Sequence, residues 1–170
     1  EISESDAMEV MKKLFPSAKS IELIGEVNGR IITYNFKLMT KLENTLYAQI
    51  SKIGGYLVTL SGASEDTYLG KLDLEESEKI ALDFARLNGI EDCVCVWKDA
   101  LNNNGYFNIS PNQKGIILYP DLIKVKIDLA SGEIIGYDAT TYFTNHVNRV
   151  LPTPTISKET AKSKLPTSYN

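Results

Sequence analysis

The side chains that could perform acid–base, nucleophilic or metal chemistry are few and scattered. His146 is the single histidine in 170 residues, and a histidine-based acid, base or metal site needs partners at defined spacing, which the residues near it do not supply. No serine lies in a Gly-x-Ser-x-Gly elbow. Gly54-Gly55 lies between two predicted strands rather than before a helix, so it does not predict a phosphate loop. The sequence therefore predicts no catalytic, cofactor-binding or metal-ligating residue, and a protein that is not an enzyme.

The paired carboxylates and the two cysteines have structural interpretations. Glu75-Glu76 falls in the first turn of a predicted helix, where negative charge complements the helix dipole. Cys93, Cys95 and Trp97 alternate along a predicted strand, so we expect them to share one face, on the core side. Buried free thiols are favoured. A metal or redox role and a strained disulfide between the cysteines are the alternatives.

Composition excludes some partners. The net charge is −4, the isoelectric point is about 5.1 and 43% of the residues are hydrophobic. The chain can therefore bury a real core, but it lacks the basic footprint of a nucleic-acid-binding protein. No apolar run is long enough to span a bilayer, so we expect no membrane contact by this chain. Because it begins at Glu1 without an initiator methionine, we expect it to be a segment of a longer protein.

An internal repeat organises the chain. Segments beginning at Ile2, Leu72 and Ile156 each have an aliphatic residue, then Ser or Asp, then a charged, helix-forming run. Ser3, Asp73 and Ser157 are predicted N-caps. We expect the first helix to end at Pro16 and the second at Asn88-Gly89.

Strands follow each of the first two helices, with turns predicted at Asn28-Gly29, Gly54-Gly55 and Asn102–Gly105. Segregated helix and strand runs predict an α+β fold made of tandem modules, each with one helix packed on an antiparallel meander of about four strands. The predicted division of the chain is module 1 over 1–62, a linker over 63–71, module 2 over 72–146, a Pro-containing linker over 147–155, and the first helix of a truncated third module over 156–170.

The clearest single signal is the hairpin from Tyr119 to Ala139. Ile123, Val125, Ile127 and Leu129 alternate with Lys124, Lys126 and Asp128, which predicts a strand with one buried and one solvated face. Ala-Ser-Gly-Glu then predicts a tight turn, in which Gly132 can take a positive φ.

Aromatic and polar residues just after this hairpin are the candidates for binding a partner, because Tyr and Arg are enriched at interface hot spots. The alternative is that Tyr142 and Phe143 merely close the core or pack between modules. The candidate contact residues are Tyr137, Tyr142, Phe143, Asn145 and His146, with Arg149 close by.

The string Val125–Ala139, with its Ser-Gly-Glu turn, resembles the PepSY family of metallopeptidase propeptides and bacterial surface proteins. The longer strings Gly115–Lys126, Gly136–His146 and Arg149–Ser157 resemble the C-terminal region of a PepSY-containing family of spore germination proteins. The specific resemblance covers about Leu72–Leu165. Residues 1–62 resemble a diverged preceding module, in which Gly54-Gly55-Tyr56 replaces the Ser-Gly-Glu turn.

This resemblance implies a non-catalytic module that binds, stabilises and holds inactive a cortex-lytic enzyme, a peptidoglycan lytic transglycosylase of the SleB type, in the dormant spore. It also implies a location on the outer side of the inner spore membrane, next to the cortex, with a membrane anchor elsewhere in the full-length protein. The alternatives are a propeptide-like peptidase inhibitor and a structural scaffold that forms a homodimer.

Overall fold

The computed structural model describes residues 1–63, 72–151, 153 and 155–166. The order of elements is a helix, four strands, a second helix, and then strands with short helices. The helices are α1 (Glu4–Leu14), α2 (Leu74–Leu87), α3 (Thr140–Asn145) and α4 (Lys158–Ser163), with a 3-10 turn at Tyr119–Asp121. The strands are β1 (Ser20–Asn28), β2 (Ile32–Met39), β3 (Thr45–Ser51), β4 (Leu57–Gly62), β5 (Cys93–Leu101), β6 (Asn104–Gln113), β7 (Ile116–Ile117), β8 (Ile123–Asp128) and β9 (Ile134–Asp138).

The three predicted N-caps are confirmed. The hydroxyl of Ser3 accepts a hydrogen bond from the backbone N–H of Asp6, whose carboxylate in turn accepts from the N–H of Ser3. Asp73 and Glu76 form the same reciprocal pair at α2, and Ser157 caps α4. Each pair satisfies amide groups that a helix start otherwise leaves without partners.

The strands of both modules form one continuous antiparallel sheet, in the order β1-β2-β3-β4-β9-β8-β6-β5, with β7 paired to β6. The junction is the pairing of β4 with β9, which sets Thr59 opposite Asp138 and Leu60 opposite Tyr137. An α+β architecture with an antiparallel sheet is therefore confirmed. The two meanders are joined edge to edge, so each covers an edge strand of the other.

The helices α1 and α2 pack on the same face of the sheet. A buried cross-strand row crosses both modules on that face, through Phe36, Leu60, Tyr137 and Phe107. Phe15, just after α1, lies 5.7 Å from the ring of Phe84 in α2. The hydrophobic core is thus shared by both halves of the described chain.

We call the opposite side of the sheet the open face. Two cross-strand rows form its middle, and their members alternate along each strand with the buried residues. One row is Glu22, Lys37, Tyr47, Ser61, Gly136, Lys126, Tyr106 and Asp99, and the other is Asn35, Gln49, Thr59, Asp138, Lys124, Asn108 and Trp97.

The expectation that Trp97 lies on the core side with the cysteines is wrong. Cys93 is buried and Cys95 packs partly against the core, but the register of β5 against β6 shifts between Cys95 and Trp97. This bulge inserts one extra residue, Val96, so the alternation is reversed beyond it. Trp97 therefore lies on the open face with 50% of its surface exposed. Both cysteines are free thiols.

The predicted hairpin is present, but one of its expected solvated residues is buried. Gly132 has φ +77°, as the turn requires. Ile123, Val125, Ile127 and Leu129 are buried as expected. Asp128 is wholly buried as well, because its carboxylate accepts hydrogen bonds from the Ser131 hydroxyl at 2.7 Å and from the Ala130 N–H at 3.1 Å. It organises the turn rather than facing solvent.

The predicted module boundaries stay a prediction. Most of the first linker, residues 64–71, and positions 152, 154 and 167–170 of the later segments lie outside the described residues. The helix expected to open a third module is present as α4, all of whose residues are exposed. In the described ranges, no helix has the length and apolar character needed to cross a bilayer.

Candidate functional site

The candidate contact residues lie where the chain leaves the sheet and turns into α3. The backbone N–H of Ala139 donates to the carbonyl of Val58 at 2.9 Å, which continues the junction between β9 and β4. The carboxylate of Asp138 then accepts from the N–H of Thr140 at 2.9 Å and supports the start of α3. The site therefore lies at the pairing of β4 with β9, which we call the seam between the two modules.

Tyr137 lies in the core, beneath the other candidates. It is 3% exposed, and burial raises the pKa of its hydroxyl well above the usual value. That hydroxyl accepts a hydrogen bond from Nδ2 of Asn88 at 3.0 Å. Asn88 also bonds both backbone groups of Leu57, so it ties the end of α2 to β4. Tyr137 has no free face for a partner, and the candidate contact set narrows to the other four residues.

A row of stacked rings covers the seam. Phe143 stacks on Tyr56 of module 1 with 5.2 Å between ring centroids, and it meets Tyr142 edge to face at 5.1 Å. The ring of Tyr142 stacks in turn on that of His146 at 4.4 Å. Tyr142 and Phe143 both pack against the core while keeping part of their surface exposed. The aromatic pair thus closes the core, as the alternative interpretation expected, and also forms surface.

Asn145 and His146 are bound to different partners. The side chain of Asn145 is exposed and accepts a long hydrogen bond, 3.4 Å, from Arg30 of module 1. His146 places its Nδ1 atom 2.8 Å from a carboxylate oxygen of Asp121. Since an ionised carboxylate can only accept, the N–H at Nδ1 donates this hydrogen bond.

A buried ion cluster lies under His146. Asp121 is wholly buried and receives both guanidinium nitrogens of Arg149, at 2.6 and 2.7 Å. These hydrogen bonds hold the pKa of Asp121 below its usual value; burial acts in the opposite direction, and the bond from His146 also lowers it. The cluster ties the segment after α3 to the 3-10 turn before β8, and it fixes the orientation of the His146 ring.

Beside the ring row is a cleft of about 220 Å³. Its walls are Tyr142, His146 and Asn148, the loop that follows α2 and the turn between β6 and β7. Glu91 and Asp92 contribute carboxylates to the rim, and Lys114 contributes an amine. The side-chain oxygen of Asn112 is buried there without a hydrogen-bond partner. A cleft of this size suits one side chain of a partner rather than a drug-sized ligand.

Asp121, Asn88 and the cleft were not found by sequence reasoning. The Tyr-Pro-Asp string was noticed only as part of a family resemblance, and Asn88 only as a helix stop. The sequence carried no local signal for Asp121, because its partners His146 and Arg149 are 25 and 28 residues away and Lys124 and Lys126 are nearer cationic residues. Positions 121 and 149 meet only in the assembled fold, so no periodicity in the sequence predicts their contact. Across the described ranges, no cluster of three His, Cys, Asp or Glu residues is arranged to hold a metal ion.

Comparison with known proteins points to one group of sporulation proteins. The sequence model of the family described as "YpeB sporulation, PepSY1 and PepSY2 domains" matches residues 1–152. The sporulation protein YpeB of Bacillus subtilis (strain 168) is 29% identical over 171 residues, which cover 97% of this chain and 38% of that protein. The sporulation protein YpeB of Oceanobacillus iheyensis is 28% identical over 134 residues, which cover 79% of this chain and 29% of that protein. The chain thus spans well under half the length of these relatives.

A solved structure matches as well. The Bacillus megaterium YpeB C-terminal domain superposes with a TM-score of 0.86 at 26% sequence identity, covering 98% of this chain and 76% of that one. The predicted resemblance to PepSY modules and to this group of proteins is confirmed. The descriptions of these relatives name sporulation and state no catalytic activity.

Proposed function

We propose that this chain, which belongs to the YpeB sporulation family with PepSY1 and PepSY2 domains, binds a cortex-lytic enzyme of the SleB type and holds it inactive in the dormant spore. The chain itself acts without catalysis, on the outer side of the inner spore membrane next to the cortex. A spore-related role rests on the family; the enzyme partner and the precise place are the parts proposed here.

The observation that supports this proposal is the surface formed by Tyr142, Asn145 and His146 together with the adjoining cleft. Its rings are held by stacking and by the buried ion cluster, so little side-chain freedom is lost when a partner binds. The carboxylate residues Glu91 and Asp92, which line the cleft, suit an inserted side chain that donates hydrogen bonds, such as lysine or arginine.

A binding measurement with a purified SleB-type lytic transglycosylase tests the proposal. The variant Asn148→Tyr fills the cleft from an exposed position without removing a core contact. We expect it to weaken binding at least about tenfold, equivalent to about 1.4 kcal/mol, and to restore digestion of cortex by the enzyme. Ser20→Tyr, an exposed change at the start of β1 and at the opposite end of the sheet from α3, is the matched control and should leave both binding and cortex digestion unchanged.

The double variant Tyr142→Ala and Phe143→Ala should weaken the complex further, provided that its thermal unfolding still shows a folded protein. Failure of the wild-type chain to bind the enzyme or to reduce cortex digestion would refute the proposal. Inhibition of a metallopeptidase with no effect on the lytic enzyme would instead support the propeptide-like alternative.

A further inference from the structure

We infer that the open face is a second binding site, which takes an uncharged polysaccharide strand lying across the β-strands. The open face is on the opposite side of the sheet from α1 and α2. The proposed enzyme contact is at the end of the sheet, around α3. The two sites are therefore separate, and this inference does not depend on the enzyme partner.

Aromatic rings lie on either side of the middle of the open face. Tyr47 in β3 is 50% exposed, and Trp97 in β5 is equally exposed. Tyr106 in β6 is a diagonal neighbour of Trp97, since their direct partners are Asp99 and Asn108, and the Lys126 ammonium lies over its ring, 5.8 Å from the ring centroid. Four strand spacings separate Tyr47 from Tyr106, or about 19 Å. That separation suits an oligosaccharide with several rings rather than a single sugar.

The middle of the face is low and polar. Gly136 has no side chain and its cross-strand partner is the small Ser61, so the surface beside Tyr47 is low, and the stem of Lys126 lies against Gly136. Next to Tyr47 is a hollow of about 190 Å³, partly lined by Asn35, Gln49 and Thr59. The hydroxyl of Thr59 donates to the amide oxygen of Gln49 at 2.9 Å, which leaves the amide NH₂ of Gln49 free to donate to a ligand.

The charges of the open face balance. Its two rows contain three lysines and three carboxylates. Four of these six charges form two directly facing pairs of opposite sign, Glu22 with Lys37 and Asp138 with Lys124. A balanced face does not attract a polyanion such as nucleic acid. Because most of the charges are paired with one another, hydroxyl and amide groups are the main hydrogen-bonding partners that the face offers to a ligand.

A polysaccharide fits this surface better than a protein does. A pyranose ring has an apolar C–H face that can stack on an aromatic ring, and a rim of hydroxyl or acetamido groups that pair with side-chain amides. A protein interface centres instead on a buried apolar core. The exposed aliphatic residues of the open face, Ile24 and Leu101, lie in its edge strands β1 and β5, so the middle of the face offers no such core.

Trp97 is the single tryptophan of the chain, so its fluorescence reports directly on this site. The probes are hexa-N-acetylglucosamine and cellohexaose, which distinguish a need for acetamido groups from a need for hydroxyls alone. We expect at least one probe to change the Trp97 emission with saturation. Tyr47→Ala, far from the reporter, should weaken that binding roughly three- to tenfold. Tyr119→Ala removes a tyrosine of similar exposure outside the open face and should have no effect.

Unchanged Trp97 emission with both sugars up to about 10 mM would overturn the inference. Equal weakening by Tyr47→Ala and Tyr119→Ala would overturn it as well. If the emission responds to a SleB-type enzyme but to neither sugar, the open face is a protein site and the polysaccharide is excluded.

Discussion

The buried carboxylate of Asp121 is the residue on which the geometry of the candidate site depends most. Its two bonds to Arg149 and its bond to His146 hold the segment after α3 against the 3-10 turn. Without that anchor the His146 ring would lose its fixed orientation beneath Tyr142. The first two predictions concern single residues of this kind, whose polar groups are buried and paired.

The first prediction is a pH dependence. The pKa of Asp121 is lower in the folded chain than its unfolded value of about 3.9. Its contribution to stability is therefore fully present above about pH 4 and is lost as the pH falls through the folded pKa. Asp121→Asn should lower the free energy of unfolding by about 2 kcal/mol near neutral pH. Thermal melts from about pH 6 to pH 3 should show that the stability difference between wild type and variant shrinks as the pH falls. A stability difference that stays constant over this range would contradict the prediction.

The second prediction concerns Asn88. Asn88→Ala leaves the buried N–H and carbonyl of Leu57 and the hydroxyl of Tyr137 without their partner. We expect a loss of about 3 kcal/mol in the free energy of unfolding, measured by urea denaturation. Asn28→Ala, at an exposed strand end, is the control and should change it by less than about 0.5 kcal/mol. An equal effect of both changes would show that the hydrogen bonds of Asn88 contribute nothing to the free energy of unfolding.

At the scale of elements, sequence reasoning succeeded where the signal is local and failed where it is not. The N-caps, the ends of α1 and α2 and the hairpin around Gly132 follow from neighbouring residues, and all are present. The bulge at Val96 and the burial of Asp128 depend on the strands and turns packed beside them. The site residues Tyr142 to His146 could be proposed from composition, but the cleft could not, because three separate segments form it.

The third prediction belongs to the hairpin element. Gly132→Ala forces an alanine into φ +77°, and its Cβ would meet Leu72 at 3.0 Å. Gly115 has a similar φ, +83°, with open space around it, so Gly115→Ala isolates the backbone cost. We expect Gly115→Ala to lower the free energy of unfolding by about 1 kcal/mol and Gly132→Ala to lower it by more. Equal losses in chemical denaturation would mean that the Leu72 contact is relieved without cost.

At the scale of the whole molecule, the sheet makes two sequence modules into one structural unit. The pairing of β4 with β9 continues the ladder, and the core runs through both halves. Sequence periodicity identified the repeat but could not show this junction, because β4 and β9 are far apart in the chain. The seam also carries the site: Tyr56 and Arg30 of module 1 contact Phe143 and Asn145 of module 2.

The fourth prediction is that both modules unfold together. Because they share a sheet and a core, thermal unfolding should show one transition, with the same midpoint from Trp97 fluorescence, which reports on module 2, and from far-ultraviolet circular dichroism, which reports on both. Two separated transitions would show that the junction between β4 and β9 is weak. The seam surface would then not be held in the geometry that binding requires.

The most direct test of the account is a hydrogen-exchange footprint of the complex with a purified SleB-type enzyme. Binding at the ring row and cleft should slow exchange of the backbone amides over 140–149 and over the turn between β6 and β7. The open face should keep its exchange rates, since it is on another side of the molecule. Protection confined to other regions, or no protection at all at saturating enzyme, would contradict the proposed site.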